Sequence, residues 1–227
     1  MIKTGTRLYI NITNACNTNC PFCCMYSSTE NSKYMDFDTF RSIVNKYDSE
    51  FELQLEGGEP LLHPNVYLFI EYALSKKGCK KVNILTNGIV LENHIRRIVE
   101  LCKWYKIPFE IKVSVNYWLI KVNQDHIRKL EKIIFATEYI ENFKISLNVR
   151  KRENDEWIDE EIAKYKLTEH ANSFYLQSYG KMTGSNYDKP VIVQNIADWH
   201  IFACDGKDFG QDLVARSEYE KTLGVNK

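Results

Sequence analysis

The sequence predicts an α/β protein of parallel strands joined by helical crossovers, arranged either as a barrel or as an open doubly wound sheet. Three observations carry that prediction. Short runs rich in β-branched and aromatic residues alternate with segments of helical apolar spacing through most of the chain. Six strand-like runs and five helical segments follow one another in turn. At 227 residues the chain is long enough to bury a substantial core, and one α/β domain with or without an appendage accommodates it.

The first strand is "RLYINIT" at residues 7–13, and it runs directly into a group of cysteines. In "DFDTFRSIVNKY" (36–47), Phe37, Phe40, Ile43, Val44 and Tyr47 share one helical face, and Asp36 or Asp38 is placed to cap its start. "ELQLEG" (52–57) is the second strand, ending in "EGGEP". "VYLFIEYALSKKG" (66–78) closes on lysines and a glycine, a usual helix stop. "KVNILTNG" (81–88), "FEIKVSVN" (109–116), "FKISLNV" (143–149) and "SFYLQS" (173–178) are the later strands. "LENHIRRIVELCKWY", "QDHIRKLEKIIFATEYI" and "DEWIDEEIAKYKL" are the helices among them. From Tyr179 onward the chain reads as loop ("YGKMTGSNYDKP") and then as a turn-rich tail containing Cys204. The expected division is therefore a core over 1–178 and an extension over 179–227 lying on or near the strand ends.

Lys plus Arg equals Asp plus Glu at 30 each, which argues against a dedicated nucleic-acid binder, since neutralising many phosphates takes a basic surplus. A local patch at Lys144, Arg150, Lys151 and Arg152 reads as a solvated strand end. No apolar run approaches the ~18 residues needed to span a bilayer. "MIKTGTRLYINIT" lacks the basic, apolar and small-residue order of a secretory signal, so the expected location is cytoplasmic.

In either architecture the chemistry belongs at the strand C-termini, and four of the seven cysteines stand there, in "NACNTNCPFCC". A reducing compartment and an odd count argue against a disulfide framework, leaving metal, redox chemistry or burial. Cys79 and Cys102 sit singly in apolar segments and read as small buried hydrophobes. Cys16, Cys20 and Cys23 form C-x3-C-x2-C, with Cys24 adjacent. Zinc usually takes two ligand pairs, and no second pair exists here, although Cys24 or the distant Cys204 would complete four ligands. Three thiolates on one loop suit a cubane iron–sulfur cluster with one iron left open.

"CNTNCPFC" after the first strand, with "GGEP" at Gly57 to Pro60 ending the second, resembles the radical S-adenosylmethionine (radical SAM) superfamily over roughly residues 7–178. The resemblance implies a partial (β/α)6 TIM-like barrel with a short C-terminal extension. It implies that Cys16, Cys20 and Cys23 hold a [4Fe–4S] cluster whose open iron binds S-adenosylmethionine, with Phe22 near the adenine and Gly57, Gly58 and Glu59 at the methionine ammonium. Polar residues of the fourth and fifth strands, here Ser114, Asn116, Asn148 and Arg150, are expected to reach the ribose or the carboxylate. Asn116 stands where an Asp is usual. Gln177 and Tyr179 are further candidates on the sixth strand.

The activity implied is reductive cleavage of S-adenosylmethionine to a 5′-deoxyadenosyl radical that abstracts hydrogen from a peptide or small metabolite, with an electron donor such as flavodoxin or ferredoxin. Two other readings stay open: a glycyl-radical-enzyme activase, and a non-catalytic zinc or iron–sulfur protein. "GGEPLLHPN" is closer to the branch containing cofactor-biosynthesis and peptide-modifying enzymes, and the absence of a cysteine-rich tail leads us to expect one cluster. Cys204 is the candidate thiol for returning hydrogen to a substrate radical.

Overall fold

The computed structural model describes residues 5–182 and 198–223. It is built from β1 (Thr6–Thr13), α1 (Phe37–Val44), β2 (Phe51–Gly57), α2 (Val66–Leu74), β3 (Cys79–Thr86), α3 (Leu91–Tyr105), β4 (Phe109–Asn116), α4 (Tyr117–Val122), α5 (His126–Thr137), β5 (Phe143–Lys151), α6 (Trp157–Lys164), β6 (Ala171–Tyr175), β7 (Asp198–Phe202) and α7 (Leu213–Leu223). The strands form one sheet in the order β6-β5-β4-β3-β2-β1-β7, and every neighbouring pair is parallel. This is the α/β class and the partial TIM-like barrel expected, with a seventh strand added beyond β1.

The two faces of the sheet differ in chemistry because successive side chains point to opposite sides. Leu8, Ile10 and Ile12 of β1, Leu53 and Leu55 of β2, and Ile111, Val113 and Val115 of β4 are fully buried in one apolar cluster with Phe40, Phe69, Ile70, Ile98 and Leu130 of the helices. Burying that surface is the main favourable term for the fold. The other face, which lines the partial barrel, is polar. Arg7 Nε donates to Glu52 (2.8 Å), Lys81 Nζ to Glu110 (2.6 Å) and Ser146 Oγ to the same Glu110 (2.8 Å). Higher up, Lys112 Nζ donates to Gln54 Oε1 (2.9 Å) and Gln54 Nε2 to Glu56 Oε2 (3.2 Å).

Helix ends follow local chemistry. Asp36 is the cap of α1, accepting from Thr39 N (2.7 Å), and Lys106 ends α3 in the left-handed conformation.

The structure differs from the expectation after Tyr179. Residues 180–182 form a short 3-10 turn, and residues 183–190 of the expected loop lie outside the described residues. The supposed turn-rich tail contains β7, which pairs with β1 from Thr6↔Asp198 to Ile10↔Phe202, and α7. β7 is only five residues long, too short for an alternation to stand out. α7 buries Arg216, Ser217 and Glu220, so it carries none of the apolar periodicity by which helices are recognised.

Candidate functional site

The loop that follows β1 holds Cys16, Cys20, Cys23 and Cys24, all reduced and all half-buried. Its path is set by polar side chains that take over from the strand. Thr13 Oγ1 accepts from Ala15 N (3.0 Å), Asn14 Oδ1 from Lys33 N (3.0 Å) and Asn19 Oδ1 from Thr29 N (2.9 Å). Cys16 N donates to Ser28 O (3.0 Å), and Cys23 N turns back to Cys20 O (3.2 Å). Trp118 Nε1 donates to Thr18 Oγ1 (2.9 Å), which pins the loop to α4.

The end of β2 is pressed against this loop. Gly58 N donates to Thr13 O (2.7 Å) and Glu59 N to Ala15 O (2.9 Å). A Cβ on Gly57 would fall on Thr13 O, and one on Gly58 on Ala15 O, both far inside van der Waals contact. Gly57 also has φ of 149°, open to glycine at little cost. The pair of glycines therefore permits close backbone approach between the two loops.

Glu59 is fully buried and its oxygens are occupied. Oε1 accepts from Leu61 N (3.1 Å) and Thr86 Oγ1 (2.8 Å), and Oε2 from Asn87 N (2.7 Å). Burial pushes its pKa up to about 7, against these hydrogen bonds, which pull it down. Glu59 thus ties the end of β2 to the "TNG" turn after β3. Asn87 in turn reaches the cysteine loop, with Nδ2 2.6 Å from Asn17 Oδ1 and 3.7 Å from Cys16 Sγ. In the sequence Asn87 is one residue of the strand-like run "KVNILTNG", with no motif to assign it a role.

Phe22 packs against Tyr117, ring centroids 5.5 Å apart. Ser114 and Asn148 are register partners on the lumen face and both half-buried. Asn116 spends its Oδ1 on capping α4, accepting from Leu119 N (2.9 Å). Arg150 lies over the Phe174 ring at 4.6 Å, and no described carboxylate is within ion-pair distance of it. Cys204 is buried, its thiol near Lys33 O (3.8 Å) and its amide donating to Glu220 (3.0 Å), and burial pushes the thiol up to about 12.

Residues of the C-terminal segment, unforeseen apart from Tyr179, also reach the cysteine loop. Arg216 forms a buried ion pair with Glu56, Ser217 Oγ donates to Cys24 O (2.5 Å), and Tyr179 interacts electrostatically with the Cys24 thiol. Gly180, in the left-handed region, packs where a Cβ would strike the Cys24 Cα, and Lys181 N donates to Cys23 O (3.2 Å). Glu220 accepts from Asn11 Nδ2 (2.6 Å).

The donor set bears on an iron–sulfur cluster directly. Among the described residues, no group of three or more His, Cys, Asp or Glu side chains is drawn together around a single metal ion. A cubane makes no such demand, because its irons take one thiolate each. Cys16, Cys20 and Cys23 share one loop, where burial, with a smaller contribution from the charge of neighbouring thiols, pushes Cys16 and Cys20 up to about 12. Buried Asn14 Nδ2 and Asn17 Nδ2 of the same loop have no partner. Soft donors of this kind and spacing fit a cubane.

Parallel strands with a thiol-bearing loop after the first and a glycine turn after the second define a class: barrel enzymes that hold their cofactor at the strand C-termini. The family is defined more closely by comparison. Residues 10–165 match the model of the Radical SAM superfamily, and the chain belongs to that superfamily, whose members are enzymes working with a [4Fe–4S] cluster and S-adenosylmethionine.

An uncharacterised protein of Methanocaldococcus jannaschii is 36% identical over 130 residues, 54% of this chain and 42% of that one. The GTP 3',8-cyclase of Staphylococcus epidermidis is 23% identical over 202 residues, 83% of this chain and 59% of the cyclase. The chain thus spans about half the length of these relatives. Streptococcus suis SuiB, solved bound to its precursor peptide SuiA, superposes with a TM-score of 0.61 at 16% identity, covering 83% of this chain and 43% of SuiB, a likeness of fold. No described helix is long and apolar enough to cross a membrane.

Proposed function

We propose that this chain is a radical SAM enzyme that activates a peptide or small metabolite in the lumen of its partial barrel. The observation that carries the reading is the joining of three half-buried thiols on one loop to the glycine turn of β2 and, through Glu59 and Asn87, to the end of β3. Cys16, Cys20 and Cys23 would hold the cluster. Cys24, whose thiol is engaged with Tyr179, is left out of that set.

Residues around the loop have clear tasks in this reading. The backbone carbonyls at Gly57 and Gly58, held beside the cysteine loop by the close packing that the glycines permit, accept from the methionine ammonium. Arg150, a half-buried guanidinium without a described carboxylate partner, takes the methionine carboxylate. Ser114, Asn148 and the free amide of Asn116 supply hydrogen bonds to ribose, and Phe22 with Tyr117 gives the adenine an aromatic wall. Glu59, its oxygens already spent, acts by holding the turn rather than by touching the cofactor. When bound and reduced, the cluster supplies the electron that cleaves S-adenosylmethionine to the 5′-deoxyadenosyl radical; the protein orients that chemistry and excludes water from it. The electron comes from a small donor protein such as flavodoxin or ferredoxin.

The test is anaerobic reconstitution with iron and sulfide followed by reduction. The expected product is a brown protein with sulfur-to-iron charge-transfer absorption that converts S-adenosylmethionine to 5′-deoxyadenosine. A colourless protein that binds zinc and leaves the cofactor intact would sink the proposal.

A further inference from the structure

The lumen carries one further feature, a lysine held by a neutral partner below the strand ends. Arg7 is paired with Glu52, Lys81 with Glu110, and Arg216 with Glu56. Lys112, on β4 between the latter two pairs, has no such partner among the described residues. Its Nζ donates to the neutral Gln54 Oε1 at 2.9 Å, leaving two ammonium N–H donors for other acceptors. The residue is half-buried, as are Ser114 above it and Asn148 beside Ser114, so these side chains line a space that solvent reaches. Its register partner Ser146 has already committed its hydroxyl to Glu110.

We propose that Lys112, steadied by Gln54, is the anchor for a single carboxylate group of the substrate, bound in the lumen beneath the cofactor. The proposal rests on the radical SAM reading for the lumen being the substrate chamber. The local charge selects the guest. The Lys112 ammonium is matched by one carboxylate, whereas a triphosphate would bring several negative charges against Glu52, Glu56 and Glu110. A neutral guest would leave the ammonium desolvated and unpaired.

The surroundings of Lys112 agree with this. Burial, and then the positive charge of Arg7 and Lys81, lower its pKa to about 8, while Glu110 and Glu52 act the other way. A carboxylate would restore the ammonium form, so binding should weaken as pH rises through that value. Facing it are Arg7 from β1, Glu52 and Gln54 from β2, Lys81 from β3 and Glu110 from its own strand.

The experiment uses the anaerobic, cluster-loaded protein with S-adenosylmethionine present. Lysines are reductively methylated with formaldehyde and dimethylamine–borane, which release no carboxylate, and the rate at Lys112 is read by peptide mass spectrometry against that at Lys103 as internal control. The probes are butyrate, its uncharged isostere butyramide, and tripolyphosphate. A butyrate titration should slow methylation of Lys112 by about tenfold or more near saturation and leave Lys103 untouched, with butyramide inert. Protection by no anion overturns the anchor. Stronger protection by tripolyphosphate than by butyrate overturns the carboxylate assignment. The charge-transfer band and 5′-deoxyadenosine yield of the same sample report on the radical SAM reading separately, so failure of one is distinguishable from failure of the other.

Discussion

Replacing Gly58 by alanine tests how closely the end of β2 must approach the cysteine loop. Gly58 does not occupy the left-handed region, so alanine carries no backbone penalty of its own, and the whole cost is contact. Its Cβ would lie on Ala15 O and 2.8 Å from Ala15 C, and both of these are backbone atoms that no rotamer change can move aside. Separating the segments enough to admit the methyl breaks Gly58 N→Thr13 O (2.7 Å) and Glu59 N→Ala15 O (2.9 Å). Each bond contributes about 1 kcal/mol net, and the overpacking adds about 1–3 kcal/mol. The lower entropy of the unfolded alanine chain returns about 0.4–1 kcal/mol. The net loss is about 3 kcal/mol, or a drop of about 10 °C in Tm for a chain of this size. Thermal melts of the metal-free protein by circular dichroism measure it, before any cofactor can mask the effect. A Tm within about 2 °C of wild type would refute the close-approach argument.

Three other outcomes follow from the same geometry. Because Glu59 binds its proton more tightly folded (about 7) than an ordinary glutamate does at 4.5, wild-type stability should fall by about 3 kcal/mol as pH rises through that window. Glu59→Gln should flatten this slope in urea titrations, at a lower overall stability because its amide presents donors to Asn87 N–H; an unchanged slope contradicts the assignment. Arg216→Met strands Glu56 without its counter-charge and should cost about 3–5 kcal/mol, with Glu56→Gln recovering part of that loss in the double variant; a single-variant loss under about 1 kcal/mol would show the pair to be dispensable. Alanine at Cys16, Cys20 or Cys23 should each abolish iron retention after anaerobic reconstitution, whereas Cys24→Ala and Cys204→Ala should keep it; iron lost from Cys24→Ala alone would move the ligand set.

What the sequence disclosed tracks how each element earns its stability. Strands and helices that bury apolar stripes, from Leu8, Ile10 and Ile12 of β1 to Ile158 and Ile162 of α6, announce themselves by periodicity. The cysteine loop and "EGGEP" are legible because thiols and paired glycines are scarce and have few uses. α7 was illegible because it is held by Arg216, Ser217 and Glu220, residues that read as a solvated helix until their partners are known. Those partners are remote: Arg216 meets Glu56 across 160 positions, and Ser217 meets Cys24 across 193. Glu59 illustrates a different limit. Its place in the motif was evident, but only the structure shows three donors converging on its carboxyl group.

The choice between barrel and doubly wound sheet, open at the level of element order, is decided by the inner residues of the strands. A doubly wound sheet is covered by helices on both faces, so its strands are apolar nearly throughout. β4 does not fit that description. Phe109, Ile111, Val113 and Val115 are buried against the helices, while Glu110, Lys112, Ser114 and Asn116 alternate onto the other face, and their β5 partners on that face include Ser146, Asn148 and Arg150. A second layer of apolar helices would strand those charges. The polar face instead pairs them across neighbouring strands and, at its β1 and β2 end, with Arg216 and Glu220 of α7. The same alternation that turns apolar side chains toward the helices therefore places Lys112 and Arg150, neither with a described carboxylate partner, on the polar face of adjacent strands.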